Sequence, residues 1–521
     1  MNVKTSFKLN SSCKKLSIVS LMFVLLSSLL VCVFVPNVEG QNIIQVGTES
    51  ELKDAVNNAA TNVPVVIALN RDIEIKGSIY IVDNRNITLT SNTNVETFRL
   101  FTADDSFVIA LMNGGALKLD SIVVSHGKND RGGGVYVDRG CTLHLIAGRI
   151  SGNTDGVTIS GGVFVMSGGE ISDNSGRGVT INDDRSSFVM TGGKISGNQN
   201  GGVYNTGTFS ISGGEISDNK CITDDGGGVR NNGGSFSMSG GTISGNSAIQ
   251  GGGVNTVATT FTNAGTFTLT GGKISGNTAS WGGGVCSGGS VFVMSGGEIS
   301  GNEAGRGGGV CNSGGSFVMS KGVISNNKAT YTDGGGVYNT GTFELTGGTI
   351  SNNNAVANGG GVYHDNNNVT FELSGGTISG NTASNSGGGV WVVVGSLDKL
   401  FVSDGVVFSN NRASASYDRN PIHDEVYNSH IGNKVTWTSP FTQGYNNYDI
   451  SYINDSPSNP EPSGSTHSPT PSGSPYSTTP NGVGFTLDSY LIFVIATLIL
   501  IIGVVIGGLF FYFKKKDNSI I

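Results

Sequence analysis

Residues 282–302 read G-G-G-V-C-S-G-G-S-V-F-V-M-S-G-G-E-I-S-G-N, and variants of this phrase recur from about residue 143 to 411. Its fixed element is an apolar pair seven positions apart. The pairs are Leu143/Ile150, Phe164/Ile171, Phe188/Ile195, Phe209/Ile216, Phe236/Ile243, Phe267/Ile274, Phe292/Ile299, Phe317/Ile324, Phe343/Ile350, Phe371/Ile378 and Phe401/Phe408. The spacing holds through all eleven copies, whereas the distance between copies drifts from 21 to 31 residues. An invariant corner alternating with segments of variable length is the behaviour of a solenoid whose insertions are loops.

Aligned copies read approximately G-G-G-V-x-N-x-G-x-F-x-M-S-G-G-x-I-S-G-N-x-A. Three short runs of period-two alternation, at Val, at Phe-x-Met/Leu and at Ile-Ser, are each bounded by Gly, Asn or Ser. Strands this short cannot stand alone. Stacked coil upon coil they predict an all-β chain, a three-sheet parallel β-helix of about 12 coils with Val, Phe, Met and Ile pointing inward in ladders. The Asn that closes each I-S-x-N phrase stands at Asn153, Asn174, Asn198, Asn219, Asn246, Asn277, Asn302, Asn327, Asn353, Asn381 and Asn411. Asn tolerates left-handed backbone and its amide can bond the Asn above and below, so an internal structural ladder is expected. The position before each core Ile carries Arg149, Glu170, Lys194, Glu215, Thr242, Lys273 and Glu298, a solvated face with cross-strand charge pairs.

This repeat resembles the right-handed single-stranded parallel β-helix of the pectin-lyase-like superfamily over about residues 45–440. Its G-G-G-V and I-S-G-N phrases are similar to those of bacterial and archaeal adhesin-like surface proteins. It also resembles the chlamydial polymorphic membrane proteins, which pair a GGA[ILV] phrase with an FxxN phrase. Those end in a β-barrel, whereas this chain ends in one apolar stretch. The resemblance implies a fold and, more loosely, a role in cell-surface attachment, because this fold hosts many activities.

The chain has 521 residues, 83 of them Gly, with 13% charged residues and a formal charge of -8. Mild acidity without a basic stripe argues against nucleic acid as a partner. Residues 1–40 combine Lys4, Lys8, Lys14 and Lys15 with an apolar run from Leu16 to Val35, which reads as a secretory signal. At the other end, residues 490–513 are uncharged and long enough for a transmembrane helix of about 20 residues with some tilt. Lys514, Lys515 and Lys516 follow, so residues 514–521 are expected in the cytoplasm and the remainder outside, in a single-pass cell-membrane protein. Gly503 and Gly507 form a GxxxG that would let two such helices approach.

Before the repeats, Thr48-Glu49-Ser50-Glu51 has the form of a capping box, and Leu52, Ala55, Val56 and Ala59 give one apolar face. A short helix there would cover the first coil. Residues 41–130 are thus an N-terminal cap with the first irregular coils, including the pair Leu117/Val124, and residues 131–440 hold the repeats, with Val435 to Thr438 closing the far end. Residues 441–489 are rich in Ser, Thr and Pro and read as a disordered stalk. Acceptor sequons for N-glycosylation stand at Asn86, Asn368 and Asn454.

Four cysteines, Cys141, Cys221, Cys286 and Cys311, lie between the two apolar termini, too few for a disulfide scaffold. Cys286 and Cys311 occupy the same point of consecutive repeats. They are a candidate disulfide, with two reduced or separately oriented thiols as the alternative.

For chemistry, Asn153-Thr154-Asp155-Gly156 resembles the N-T-D-G phrase of polygalacturonase-type glycoside hydrolases, and Asp183 and Asp184 lie one coil on. In that family such aspartates protonate the glycosidic oxygen and activate water. The family's G-H-G and R-I-K phrases are missing here, and the repeat itself accounts for Asp155 as a turn residue. No Asp-x-Asp pattern or His cluster marks a metal site, and no cofactor is expected. For binding, the residue after each G-G-G-V valine should face outward. It is Tyr338, Tyr363 and Trp391 in the last three coils, with Tyr136, Tyr204 and Arg230 earlier. An aromatic stripe there, joined by Trp281 and Tyr331, could stack on sugar rings or anchor a protein. The expectation is a membrane-anchored, non-enzymatic, adhesin-like protein that recognises an extracellular glycan or protein. A polysaccharide-active enzyme (polygalacturonase- or lyase-like) or its inactive relative, and a cell-envelope structural protein, are the alternatives.

Overall fold

A computed structural model describes residues 43–451, apart from 92–96, 128–130, 223–224, 260–263, 367, 394–395, 397–398, 415–424, 429–432 and 437–448. The residues expected as a signal (1–40), the expected span (490–513) with Gly503 and Gly507, the expected cytoplasmic tail (514–521) and Asn454 lie outside the described residues. No helix among the described residues is long and apolar enough to cross a membrane.

The repeats form a parallel β-helix of right-handed type. Each turn supplies a strand carrying the Val, such as Val229–Asn232, one carrying the Phe, such as Ser235–Met238, and one carrying the Ile, such as Thr242–Ser244. Like residues sit on like residues from turn to turn, with Phe209 beside Phe236 and Phe236 beside Phe267, and Ile216, Ile243 and Ile274 aligned in the same way. The Phe and Ile strands merge into one 27-stranded sheet because Val291–Ser300 and Ser316–Ser325 run unbroken through the corner between them. The cause of the invariant seven-residue spacing is visible at that corner. The first glycine of S-G-G nests on the turn before it: a Cβ on Gly240 would stand 2.2 Å from the carbonyl oxygen of Ser212. An inserted residue would lift every later corner off its neighbour.

The Val strands form a sheet of 14, from Ile79–Ile81 to Ile450–Ser451, two turns more than the dozen expected. Neither end strand carries the repeat phrase: Ile79–Ile81 belongs to the irregular first strands expected before the repeats, and Ile450–Ser451 is the one not expected. Ile450–Ser451 also corrects a boundary. It falls within residues 441–489, read as stalk, yet Ile450 is buried and pairs with Val390. One apolar residue in a polar stretch suffices here, because the strand only has to extend a sheet already built.

At the N-terminal end, helix Glu49–Asn57 has Thr48 as its N-cap. The Thr48 hydroxyl accepts from the Glu51 N–H, and the Glu51 carboxylate accepts in return from the Thr48 N–H. Leu52, Ala55 and Val56 are buried against the first turns. Near the far end, Glu425–Asn428 and Asn433–Thr436 form an antiparallel hairpin that includes Val435. A single apolar column fills the helix from Val46 to Ile450. Nine phenylalanines from Phe164 to Phe371 stack within it, centroids 4.6–5.5 Å apart and planes within 18° of parallel.

Candidate functional site

Two polar ladders run inside the helix. In the first, the Nδ2 of Asn153 donates to the Oδ1 of Asn174 at 3.0 Å, and the Asn153 N–H donates to the same oxygen. The pattern repeats through Asn198, Asn219, Asn246, Asn277, Asn302, Asn327, Asn353 and Asn381 to Asn411. His126 faces Asn153 Oδ1 at one end, and the Asp449 carboxylate accepts from Asn411 at the other. Burial raises the Asp449 carboxyl above the ordinary Asp range. The left-handed backbone does not fall on the ladder asparagines. It falls on the residue before each, with φ from 55° to 70° at Gly152, Asp173, Gly197, Asp218, Gly245, Gly276, Gly301, Asn326, Asn352, Gly380 and Asn410.

The second ladder was not foreseen, although the V-x-N of the repeat signalled it. Asn205 donates to Asn231 at 2.7 Å and Asn231 to Thr256; further on, Asn312 donates to Asn339 at 2.7 Å, and Asn339 Nδ2 lies 2.7 Å from His364 Nδ1. His364 is fully buried, and that burial pushes its imidazole down to about 4.

Tyr338, Tyr363 and Trp391 point away from the core, but they are not an exposed stripe. They are only 8%, 9% and 7% exposed. Tyr338 stacks on Tyr363 at 5.1 Å and Tyr363 on Trp391 at 4.6 Å, so the ring faces a sugar would need are already used by neighbouring rings. With Cys286 and Cys311 they form a second apolar cluster on the outer side of the Val sheet. The expectation failed because the segment leading into each G-G-G-V packs over this column. Earlier positions are occupied as well, since Arg177 lies 4.1 Å over the Tyr204 ring and Tyr136 packs on Phe107.

That leading segment is itself a strand. The Val follows the ladder Asn by four or five positions at Asn153, Asn174 and Asn198, and by eight to ten from Asn219 to Asn381. From Lys220 onward the extra residues pair turn to turn as an eight-stranded sheet reaching Arg412–Ala413. In and beside its strands large apolar groups reach solvent: Ile222, Ile249 and Val356 are exposed, Trp281 is 36% exposed and Tyr331 81%. Arg306 is the register partner of Trp281, with its guanidinium 4.7 Å over the indole. Arg306 Nε donates to Thr332 at 3.1 Å, and Trp281 meets Tyr338 edge-on at 5.9 Å. Beneath them, burial raises the Asp333 carboxyl, which accepts from the Asn358 N–H. This corner therefore offers two aromatic rings and a cation on or beside strands paired turn to turn, with aliphatic groups in the same corner segments.

The three candidate aspartates do not converge. Asp155 precedes the strand Val157–Ser160 and accepts from the Arg177 N–H at 2.8 Å and from Thr180 Oγ1 at 3.3 Å, which is a turn-to-turn brace. Asp183 and Asp184 follow the neighbouring strand Val179–Asn182, at its opposite end. The Asp155 carboxylate reaches Thr180, three residues before Asp183, so on the order of 10 Å of strand separates it from that pair. Asp183 is held below the ordinary Asp range by the Arg185 N–H. Among the described residues no three His, Cys, Asp or Glu side chains gather as metal ligands would. Asn368 is exposed, whereas Asn86 is half-buried in a strand paired on both sides. Cys286 and Cys311 are register partners, buried and free.

Comparison of this chain with protein-family models, with curated proteins and with solved structures finds no significant match.

Proposed function

We propose that the β-helix is displayed outside the cell as an adhesin-like recognition protein related in kind to the pectin-lyase-like solenoids. In this reading residues 1–40 export it, residues 490–513 anchor it and the Ser/Thr/Pro-rich segment lifts it off the membrane. The observation that carries the recognition role is the corner sheet. The corner where the turns lengthen from Asn219 onward is also where Trp281, Tyr331, Ile222, Ile249 and Val356 reach solvent, with Arg306 over the Trp281 ring. Trp, Tyr and Arg are the residues that anchor protein interfaces, and the aliphatic groups beside them suit a protein surface better than a sugar. A protein partner is therefore favoured over a glycan.

The test uses the full chain in detergent micelles or on cells that express it. Saturable binding to host or neighbouring cells is expected, with the Trp281→Ala/Tyr331→Ala variant at least about tenfold weaker and its circular dichroism unchanged. Protease treatment of the target cells should abolish binding, whereas glycosidase treatment should spare it. Binding that the double variant leaves intact would remove the corner from the role, and no saturable binding on any cell would overturn the adhesin reading.

A further inference from the structure

We propose that Cys286 and Cys311 form a disulfide between consecutive turns, made as the chain folds and then sealed beneath the corner segment. They are register partners on strands Val285–Gly288 and Val310–Ser313, and both are fully buried on the outer side of the Val sheet. Adjacent strands lie about 4.8 Å apart, inside the window of about 4.4–6.8 Å that disulfides span between Cα atoms. Register partners in parallel strands hold their Cβ atoms about as far apart as their Cα atoms. The bridge therefore draws the two strands together by roughly 1 Å.

The surroundings favour that pairing. The flanking rungs are Asn255 and Tyr338, both uncharged. Gly282 has no Cβ where one would stand 2.9 Å from the Cβ of Cys286. Cys286 Sγ also makes a long contact with Gln250 Oε1, at 3.7 Å. Cys141 and Cys221 are not rung neighbours of this pair: Cys141 follows the strand Val135–Asp138, and Cys221 belongs to the corner sheet. An apolar bridge also continues the cluster that Tyr338, Tyr363 and Trp391 build.

The chemistry is two thiol–disulfide exchanges with an oxidised oxidoreductase or glutathione disulfide. One cysteine thiolate attacks the oxidant's S–S bond, forming a mixed disulfide and releasing a thiol. The second thiolate attacks the cysteine sulfur of that mixed disulfide, closing the Cys286–Cys311 bond and releasing the second thiol, so the oxidant takes up two electrons and two protons. Hydrogen bonding to Cys311 and then burial hold the folded Cys286 thiol well above the ordinary range, so the exchange precedes closure of the corner segment. In the cell the proposal rests on the export described above, which supplies the oxidising compartment.

The full chain is to be unfolded and reduced, refolded in detergent with reduced and oxidised glutathione, digested without reductant and analysed by mass spectrometry. The expected result is a linked peptide pair holding Cys286 and Cys311, with neither cysteine taking up maleimide in guanidinium until reductant is added. Cys286→Ser should leave Cys311 alkylatable. Refolded protein with native circular dichroism whose two thiols both react in guanidinium without reductant would overturn the bridge. Protease shaving of intact cells decides export separately, so failure of one reading does not mask the other.

Discussion

A single imidazole ends the second inner ladder, and its burial has a measurable consequence. His364 is bonded through Nδ1 to Asn339 and packs on Phe371 at 4.9 Å. Its folded value, about 4, lies below the ordinary 6.5, so the unfolded chain binds the proton first as pH falls. Stability should be complete above about pH 7. It should decline by up to about 1.4 kcal/mol per pH unit below 6.5 and level off below 4, a total on the order of 3 kcal/mol. Denaturant midpoints at pH 7 and pH 4.5 check this, with His364→Asn expected to flatten the difference because Asn extends the ladder without titrating. The ladder asparagines were legible because eleven of them recur at one place in the repeat. The left-handed backbone was assigned to the wrong residue, because Gly, Asp and Asn alternate before the Asn and the constraint they share is conformational.

The short strands and corners divide into those that fill space and those that only turn. The third glycine of G-G-G-V fills space: at Gly284 a Cβ would stand 2.7 Å from both the Gly309 carbonyl oxygen and Ile299 Cγ2. At Gly276 a Cβ would meet nothing within 4 Å, and only its φ of +64° resists a side chain. Gly284→Ala is therefore expected to cost about 3 kcal/mol through overpacking, and Gly276→Ala about 1 kcal/mol through strain. Gly276→Asn should cost less than Gly276→Ala, because Asn326 and Asn352 already occupy the equivalent position. Thermal unfolding of the three variants separates these effects. The Val, Phe and Ile strands were readable from alternation between glycines, since each has one face in the core. The corner sheet was not, because its strands present mostly Ser, Thr, Ala and charged residues and gain their pairing only from the turns above and below. The same blindness placed Tyr338, Tyr363 and Trp391 in solvent: alternation says which residues leave the core, not what then covers them.

At the scale of the molecule, stability in a stack is carried by contacts between neighbouring turns, so whole turns are interchangeable where partial ones are not. Deleting residues 286–310 joins Val285 to Cys311 and removes one complete repeat. The shortened protein is expected to fold with unchanged circular dichroism per residue, whereas deletion of residues 286–305 breaks the register and should give insoluble or unfolded chain. Solubility, circular dichroism and hydrodynamic radius distinguish the two. The ends of the molecule were less legible than its middle, because a final strand such as Ile450–Ser451 borrows its register from the turn it closes and carries no signature of its own. The asparagine ladder, finally, gives the solenoid an electrical direction. Between the asparagines every side-chain amide donates toward the C-terminal turn and its Oδ1 accepts from the N-terminal side, while the second Nδ2 hydrogen goes to a backbone carbonyl of the preceding turn, so the Asn–Asn bonds all run one way along the axis. No amide can reverse without setting donor against donor on one side and acceptor against acceptor on the other. The carboxylate of Asp449 meets the donor end of this array and the ring of His126 the acceptor end, so the row of neutral side chains is polarised and terminated like a helix macrodipole.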